Sequence, residues 1–341
     1  MTGFQNVRRL VLFVPILAGF LASGCVFWPW TETLSKDELA AQELQRQRQQ
    51  AVSLYVDAMM LNDIENYAAA LDKLEQATQL HKEFALAFSM KGDLYQALQQ
   101  YEQSADAYEQ AATLDPWSFK DFFNLGKVSE ILKQYARAAH AFVAAAKLKP
   151  EHYEAHVGAA RSFFELNDLG QAQEYAQKAK TIDPDQPDAE FLLGNIYIEQ
   201  KDNLQAINAY RRVLELQGNQ PDVMVSLARA YLRAERFSSA IELLTDVLER
   251  EPENGVAYQY LGFAQLKLKQ TEEAIESYKQ AVRLSHDDWM AHKSLGVAYM
   301  LWAIQNNNDE RIKALAIEQW NISLQINPDQ PQLHELMAKY N

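Results

Sequence analysis

The sequence predicts an all-α chain assembled from one helical hairpin repeated about eight times. The first sign is a period. Gly92, Gly126, Ala160, Gly194, Ala228, Gly262 and Gly296 stand 34 residues apart, with Ala58 one step before them. Two further series keep the same step: Ala70, Ser104, Ala138, Ala172, Ala206, Ala240 and Ala274, then Ala77, Ala111, Ala145, Ala179, Val213, Val247 and Ala281. A fixed period of this length marks a stacked-repeat architecture. The second sign is composition. The chain has 47 alanines against 12 glycines and 10 prolines, which favours helices over a sandwich or barrel rich in turns. Hydrophobic residues at 48% and charged residues at 23% are enough for a packed core.

In chain order, the first element is an address. Arg8 and Arg9 precede a run of fifteen uncharged residues, 10–24, interrupted by Pro15. That run is too short for a bilayer span and has the layout of a secretory signal. It ends in Leu21-Ala22-Ser23-Gly24-Cys25, at the chain's only cysteine. The segment resembles a bacterial lipoprotein signal, with Ala22 standing where leucine is usual. The resemblance implies removal of residues 1–24, diacylation of Cys25 and a membrane anchor in the cell envelope. Val26, rather than aspartate, implies the outer membrane, facing the periplasm.

Residues 25–50 follow as a tether and leading helix. Trp28 and Trp30 suit a headgroup zone, and Ser35-Lys36-Asp37-Glu38 reads as a capping box that starts a helix.

The repeats occupy 51–330, as units 51–84, 85–118, 119–152, 153–186, 187–220, 221–254, 255–288 and 289–330. Small residues let two helices approach closely. Bulky ones fill the space beside them: Tyr95, Phe163, Tyr197, Tyr231 and Tyr299 on first helices, Leu74, Tyr108, Phe142, Tyr210, Leu244 and Tyr278 on second helices. Pro116, Pro150, Pro184 and Pro252 end second helices. The last unit has 42 residues, and its excess is expected near 306–313, as a longer turn between its helices. Residues 331–341 are expected to form a C-terminal cap helix.

Segments such as LGKVSEILKQYARAAHAFVAAAKLKP and LGFAQLKLKQTEEAIESYKQAVRL resemble tetratricopeptide repeats, and the likeness extends over about 280 of the 341 residues. It implies a right-handed α-solenoid whose first helices line a concave groove that binds peptides or partner proteins. One groove-facing series, one residue beyond the small position, reads Met59, Asp93, Lys127, Arg161, Asn195, Arg229, Phe263 and Val297, with Lys120 and Arg233 on neighbouring positions. Lys120, Lys127, Arg161, Asn195, Arg229 and Arg233 thus form a cationic, hydrogen-bonding stripe suited to an acidic segment or C-terminus. Phe123, Phe164, Tyr260 and Phe263 offer apolar pockets beside it.

Other function classes fit poorly. A net charge of −14 argues against nucleic-acid binding, which needs surplus Lys and Arg. His152 and His156 lack the glutamate placement of a zinc-protease helix. No P-loop, serine elbow or dinucleotide fingerprint is present, and the repeats leave no room for a catalytic domain. The expectation is a membrane-anchored adaptor without cofactor, metal or enzymatic activity, serving pilus or secretin assembly or the docking of peptidoglycan enzymes. The alternatives are a self-assembling structural module and, more remotely, an enzyme.

Overall fold

A computed structural model describes residues 35–340. Among them are seventeen helices and no strand. They pair along the chain as α1 (Lys36–Asp63) with α2 (Tyr67–Leu80), α3 (Ala85–Ala97) with α4 (Tyr101–Leu114), α5 (Phe119–Ile131) with α6 (Tyr135–Leu148), and α7 (Tyr153–Glu165) with α8 (Leu169–Ile182). The second half continues with α9 (Pro187–Glu199) and α10 (Asn203–Gln217), α11 (Pro221–Arg233) and α12 (Phe237–Arg250), α13 (Gly255–Lys267) and α14 (Thr271–Leu284), α15 (Trp289–Gln305) and α16 (Glu310–Ile326), closed by α17 (Pro331–Tyr340). The described residues fall into two units that divide between Gln47 and Arg48. The described part of the first is the opening of α1; the second carries the hairpins. Cys25 and the signal segment 1–24 lie outside the described residues. No helix among the described residues is long and apolar enough to cross a membrane.

The opening of α1 is set by its cap. The Ser35 backbone amide donates to Glu38 Oε2 at 2.7 Å, and the Glu38 amide donates back to Ser35 Oγ at 3.2 Å. Two of the helix's unpaired groups are satisfied reciprocally.

The 34-residue period becomes a packing rule. Each glycine of the first series lies under an aromatic ring of the next helix. A Cβ built on Gly92 would stand 2.6 Å from the Tyr108 ring, on Gly126 2.7 Å from Phe142, on Gly194 2.6 Å from Tyr210 and on Gly262 3.0 Å from Tyr278. On Gly296 it would collide with Trp320. Where the series holds alanine, the facing position holds a smaller side chain: Leu74 for Ala58, Ala176 for Ala160, Leu244 for Ala228, all fully buried. The pair is thus size-matched, so the interhelix volume stays filled without overlap. The second series closes the same contact: Ser104, wholly buried, donates its hydroxyl to the Gly92 carbonyl at 2.8 Å.

Within each of the first seven hairpins the turn uses one left-handed residue, and in the eighth it uses two, Asn307 and Asn308. Glu65, Gln99, Lys133, Asn167, Lys201, Glu235 and Lys269 all have positive φ, between 57° and 63°, and keep the repeat spacing. The residue after each donates its amide five positions back, as Gln100 does to Tyr95 O at 2.8 Å and Arg236 does to Tyr231 O at 2.9 Å. This is a Schellman closure, in which the long-reaching bond satisfies the last helix carbonyls. Only Asn167 among the seven is a residue type that tolerates this region well.

The eighth hairpin corrects one expectation. Its extra residues do not simply lengthen the turn. α15 and α16 each have 17 residues, where α13 has 13 and α14 has 14, and the turn between them gains one residue. Longer helices let Trp320 take the place of the tyrosine against Gly296, and its indole N–H donates to the Lys293 carbonyl at 3.3 Å. α17 then lays Leu333, fully buried, with half-buried Leu336, Met337 and Tyr340, on this last pair. Gln332, His334, Glu335 and Lys339 stay exposed.

Candidate peptide-binding site

Each odd-numbered helix from α3 to α15 packs on its own even partner and on the even helix before it. Odd helices also touch each other: α5 with α7, α7 with α9, α11 with α13, and α13 with α15. The odd helices therefore share one face, and the residue one step beyond each small position projects there. Two cavities open on it, one at each end of the array.

The cavity at the carboxy-terminal end has a volume of about 630 Å³ and lies across α11, α13 and α15. Its charged lining is Arg229, Arg233 and Lys293, with no carboxylate. None of the three makes an ion pair with a described residue. Arg233 Nη1 donates to the Ile198 carbonyl at 2.6 Å, which holds the guanidinium at the rim. The Arg229 Nε is buried without a hydrogen-bond partner. Lys293 Nζ lies 5.9 Å from the Trp289 ring centre. Tyr260, Phe263, Trp289 and Met290 supply the apolar wall; Phe263 and Met290 are exposed. Cations on an aromatic, partly desolvated wall suit a carboxylate attached to an apolar side chain.

The six stripe residues meet different fates. Lys120 Nζ pairs with Asp93 Oδ2 at 2.5 Å and donates to Ser89 Oγ at 3.2 Å. Arg161 Nη1 pairs with Glu130 at 3.0 Å. Asn195 accepts the Tyr210 hydroxyl at 2.7 Å, because a tyrosine packed on Gly194 carries its oxygen out to the next groove position. Asp93 serves Tyr108 in the same way, at 2.7 Å. Burial pushes the Tyr210 hydroxyl above its ordinary pKa, against the opposing charges of Arg229 and Arg233. Lys127 is exposed, 5.7 Å above the Phe123 ring. Arg229 and Arg233 alone of the six share a cavity.

Lys293, Trp289, Met290 and Gln259 join that cavity without having been singled out by the sequence reading. The signal existed. Gln259 and Lys293 occupy the position three before the small residue, which runs Tyr55, Ser89, Phe123, Val157, Phe191, Val225, Gln259 and Lys293. Only a three-dimensional neighbour relation shows that this second series borders the first. Among the described residues no group of three or more His, Cys, Asp or Glu is arranged to hold a metal ion.

Residues 36–295 match the family model of the cilia and flagella-associated protein 70 C-terminal domain, a tetratricopeptide-repeat model. No curated protein matches the chain. Among solved structures, the C-terminal part of a tetratricopeptide-repeat protein from Cytophaga hutchinsonii is 16% identical, aligns over 72% of this chain and 97% of its own, and has a TM-score of 0.57. A tetratricopeptide-repeat protein from Parabacteroides merdae is 13% identical over 73% of this chain and 99% of its own, with a TM-score of 0.49. YrrB, described as having an unusual peptide-binding site, is 21% identical over 59% of this chain and 100% of its own, with a TM-score of 0.47. Helical hairpins in a fixed period, sealed by size-matched pairs and spanned by this match, make the chain a member of the tetratricopeptide-repeat family represented by the cilia and flagella-associated protein 70 C-terminal domain, a fold that serves as a scaffold for protein–protein interaction.

Proposed function

We propose that this chain is a membrane-anchored adaptor of the bacterial cell envelope that holds an acidic segment or C-terminus of a partner protein on its odd-helix face. The observation that carries the reading is the Arg229–Arg233–Lys293 cavity: three cations and no carboxylate, in a chain of net charge −14. A concave cationic site in an acidic protein focuses the local field and selects anionic guests. Its aromatic wall adds an apolar anchor, the arrangement from which hot spots are built. Asn195, Lys127, Arg161 and Lys120 would contact the guest further along the face, the last two only by exchanging their internal carboxylate partners.

The test uses two peptides, one ending Asp-Asp-Phe with a free carboxylate and one ending Asn-Asn-Phe amide. Wild-type protein should bind the first and not the second, and the Arg229→Glu/Arg233→Glu double variant should lose at least about tenfold in affinity. Equal binding of both peptides would refute the reading. Cys25 supplies the anchor: two or three acyl chains hold a protein stably at a membrane where one does not. Cys25→Ser should move the protein from the membrane to the soluble fraction, and persistence in the membrane would remove the lipid from the account. Envelope assembly, as in pilus or secretin building or the docking of peptidoglycan enzymes, is the setting such an anchor suits.

Self-association is a second reading with its own observation. Val52, Val56, Met60 and Ile64 on and just past α1 are exposed apolar residues, while α17 presents a polar outer surface. Sedimentation at two concentrations separates a monomer from an end-to-end assembly.

A further inference from the structure

The cavity at the amino-terminal end of the odd-helix face has the register of the carboxy-terminal one and the opposite charge. It lies across α1, α3 and the start of α5, with a volume of about 320 Å³. Five repeats separate the two. Met59 corresponds to Arg229, Asp63 to Arg233, Ser89 to Gln259, Asp93 to Phe263 and Lys120 to Met290.

Four carboxylates line the amino-terminal cavity: Asp63, Asp93, Asp115 and Asp121. Its single cation, Lys120, is paired with Asp93. Asp63, Asp115 and Asp121 make no ion pair with a described residue. Asp121 is 3% exposed. Its backbone amide donates to Ser118 Oγ as the helix cap, and its Oδ2 accepts the Ser118 hydroxyl at 2.6 Å, but its Oδ1 is buried with no hydrogen-bond partner. A buried carboxylate oxygen left unpaired costs stability that a nearby cation restores. The Ser118 hydroxyl occupies one oxygen of Asp121 and leaves the other without a partner. Tyr55, Met59, Leu86 and Met90 form the apolar wall, with Met59 and Leu86 exposed.

The geometry points to this cavity as a binding site for an arginine side chain of a partner segment. A guanidinium is weakly hydrated, stacks on an aromatic ring such as Tyr55, and spreads its donors over several carboxylates. Its charge answers Asp121 at the floor and Asp63 and Asp115 at the rim. The thioethers accommodate its stem and the apolar residues beside it. The site does not depend on the Arg229 cavity being a carboxylate site. If both hold, the face is electrically polar and admits a charged segment in one direction only.

The experiment labels the methionine methyl groups of the protein and follows them by NMR. Met59 and Met90 report on the amino-terminal cavity and Met290 on the carboxy-terminal one. N-acetyl-arginine amide should shift Met59 and Met90 saturably. N-acetyl-citrulline amide, the same shape without charge, should not. Asp121→Asn keeps the side-chain volume and the cap, and Asp63→Lys changes an exposed residue at the end of α1; each should weaken the arginine titration about tenfold. Helical content and unfolding midpoint check that both variants fold. Equal shifts from citrulline, no saturable shift from arginine, or an unchanged titration in Asp63→Lys would each overturn the assignment. N-acetyl-glutamate amide read at Met290 tests the other cavity in the same spectra, so failure of one does not mask the other.

Discussion

Gly194→Ala is the substitution that tests the packing rule most directly. Helix propensity alone favours alanine over glycine by about 1 kcal/mol. The tertiary contact opposes it. The new methyl carbon would lie 2.6 Å from Cε1 and 2.8 Å from Cδ1 of Tyr210, well inside the separation at which carbon atoms attract. The ring cannot slide away freely, because its hydroxyl is bonded to Asn195 at 2.7 Å and Tyr210 is fully buried. Overpacking of this kind costs about 1–3 kcal/mol, and displacing the ring also forfeits a hydrogen bond of about 1 kcal/mol. The net expectation is a destabilisation of about 2 kcal/mol. Tyr210→Leu, which recreates the Ala228–Leu244 pairing, should rescue it, with a coupling energy of at least about 1 kcal/mol in the double-mutant cycle. Urea unfolding measures the free energies. Amide hydrogen exchange in α9 and α10 shows whether the loss is local, as a nearest-neighbour array requires. A Gly194→Ala variant as stable as wild type, or additive effects in the cycle, would refute the size-matching argument.

Three other outcomes are expected. Glu235→Gly should stabilise the array by about 0.5–1 kcal/mol by relieving the left-handed strain at φ 57°, whereas Glu235→Val should destabilise it; thermal unfolding of both variants reads the sign. Glu190 is 4% exposed and its Oε1 pairs with Lys180 at 2.7 Å; Lys180→Met should cost about 2 kcal/mol by leaving a buried charge unpaired, and adding Glu190→Leu should recover most of it in urea titrations. Burial holds the pKa of His156 below the ordinary histidine value. Its unfolded form therefore takes up a proton before its folded form does, and stability present above the unfolded pKa falls as pH drops below about 6.5. Melting temperatures at pH 7.5 and 5.5 should differ less in His156→Gln than in wild type.

The array was legible in the sequence because its cause is local and periodic. A small residue every 34 positions, bulky partners in register and prolines past the second helices are properties of single side chains. The turn residues were not legible, since Lys133 and Glu235 carry no preference for positive φ. The bond that closes each Schellman turn, from the residue after it to the carbonyl five positions back, imposes that conformation from outside. The eighth unit's length was countable, but whether its excess entered turn or helix depended on Trp320 finding Gly296.

For the candidate site, the one-dimensional reading found Arg229 and Arg233 and treated them as part of a continuous cationic stripe. Lys120 and Arg161 turned out to face Asp93 and Glu130, while Lys293 arrived from a different register. By itself the sequence determined a stacked all-α array, because close helix contact demands small side chains at a fixed step. Only the tertiary structure decided which charges are neutralised and which are left open, because an ion pair depends on distances between repeats, and those are set by how neighbouring helices pack.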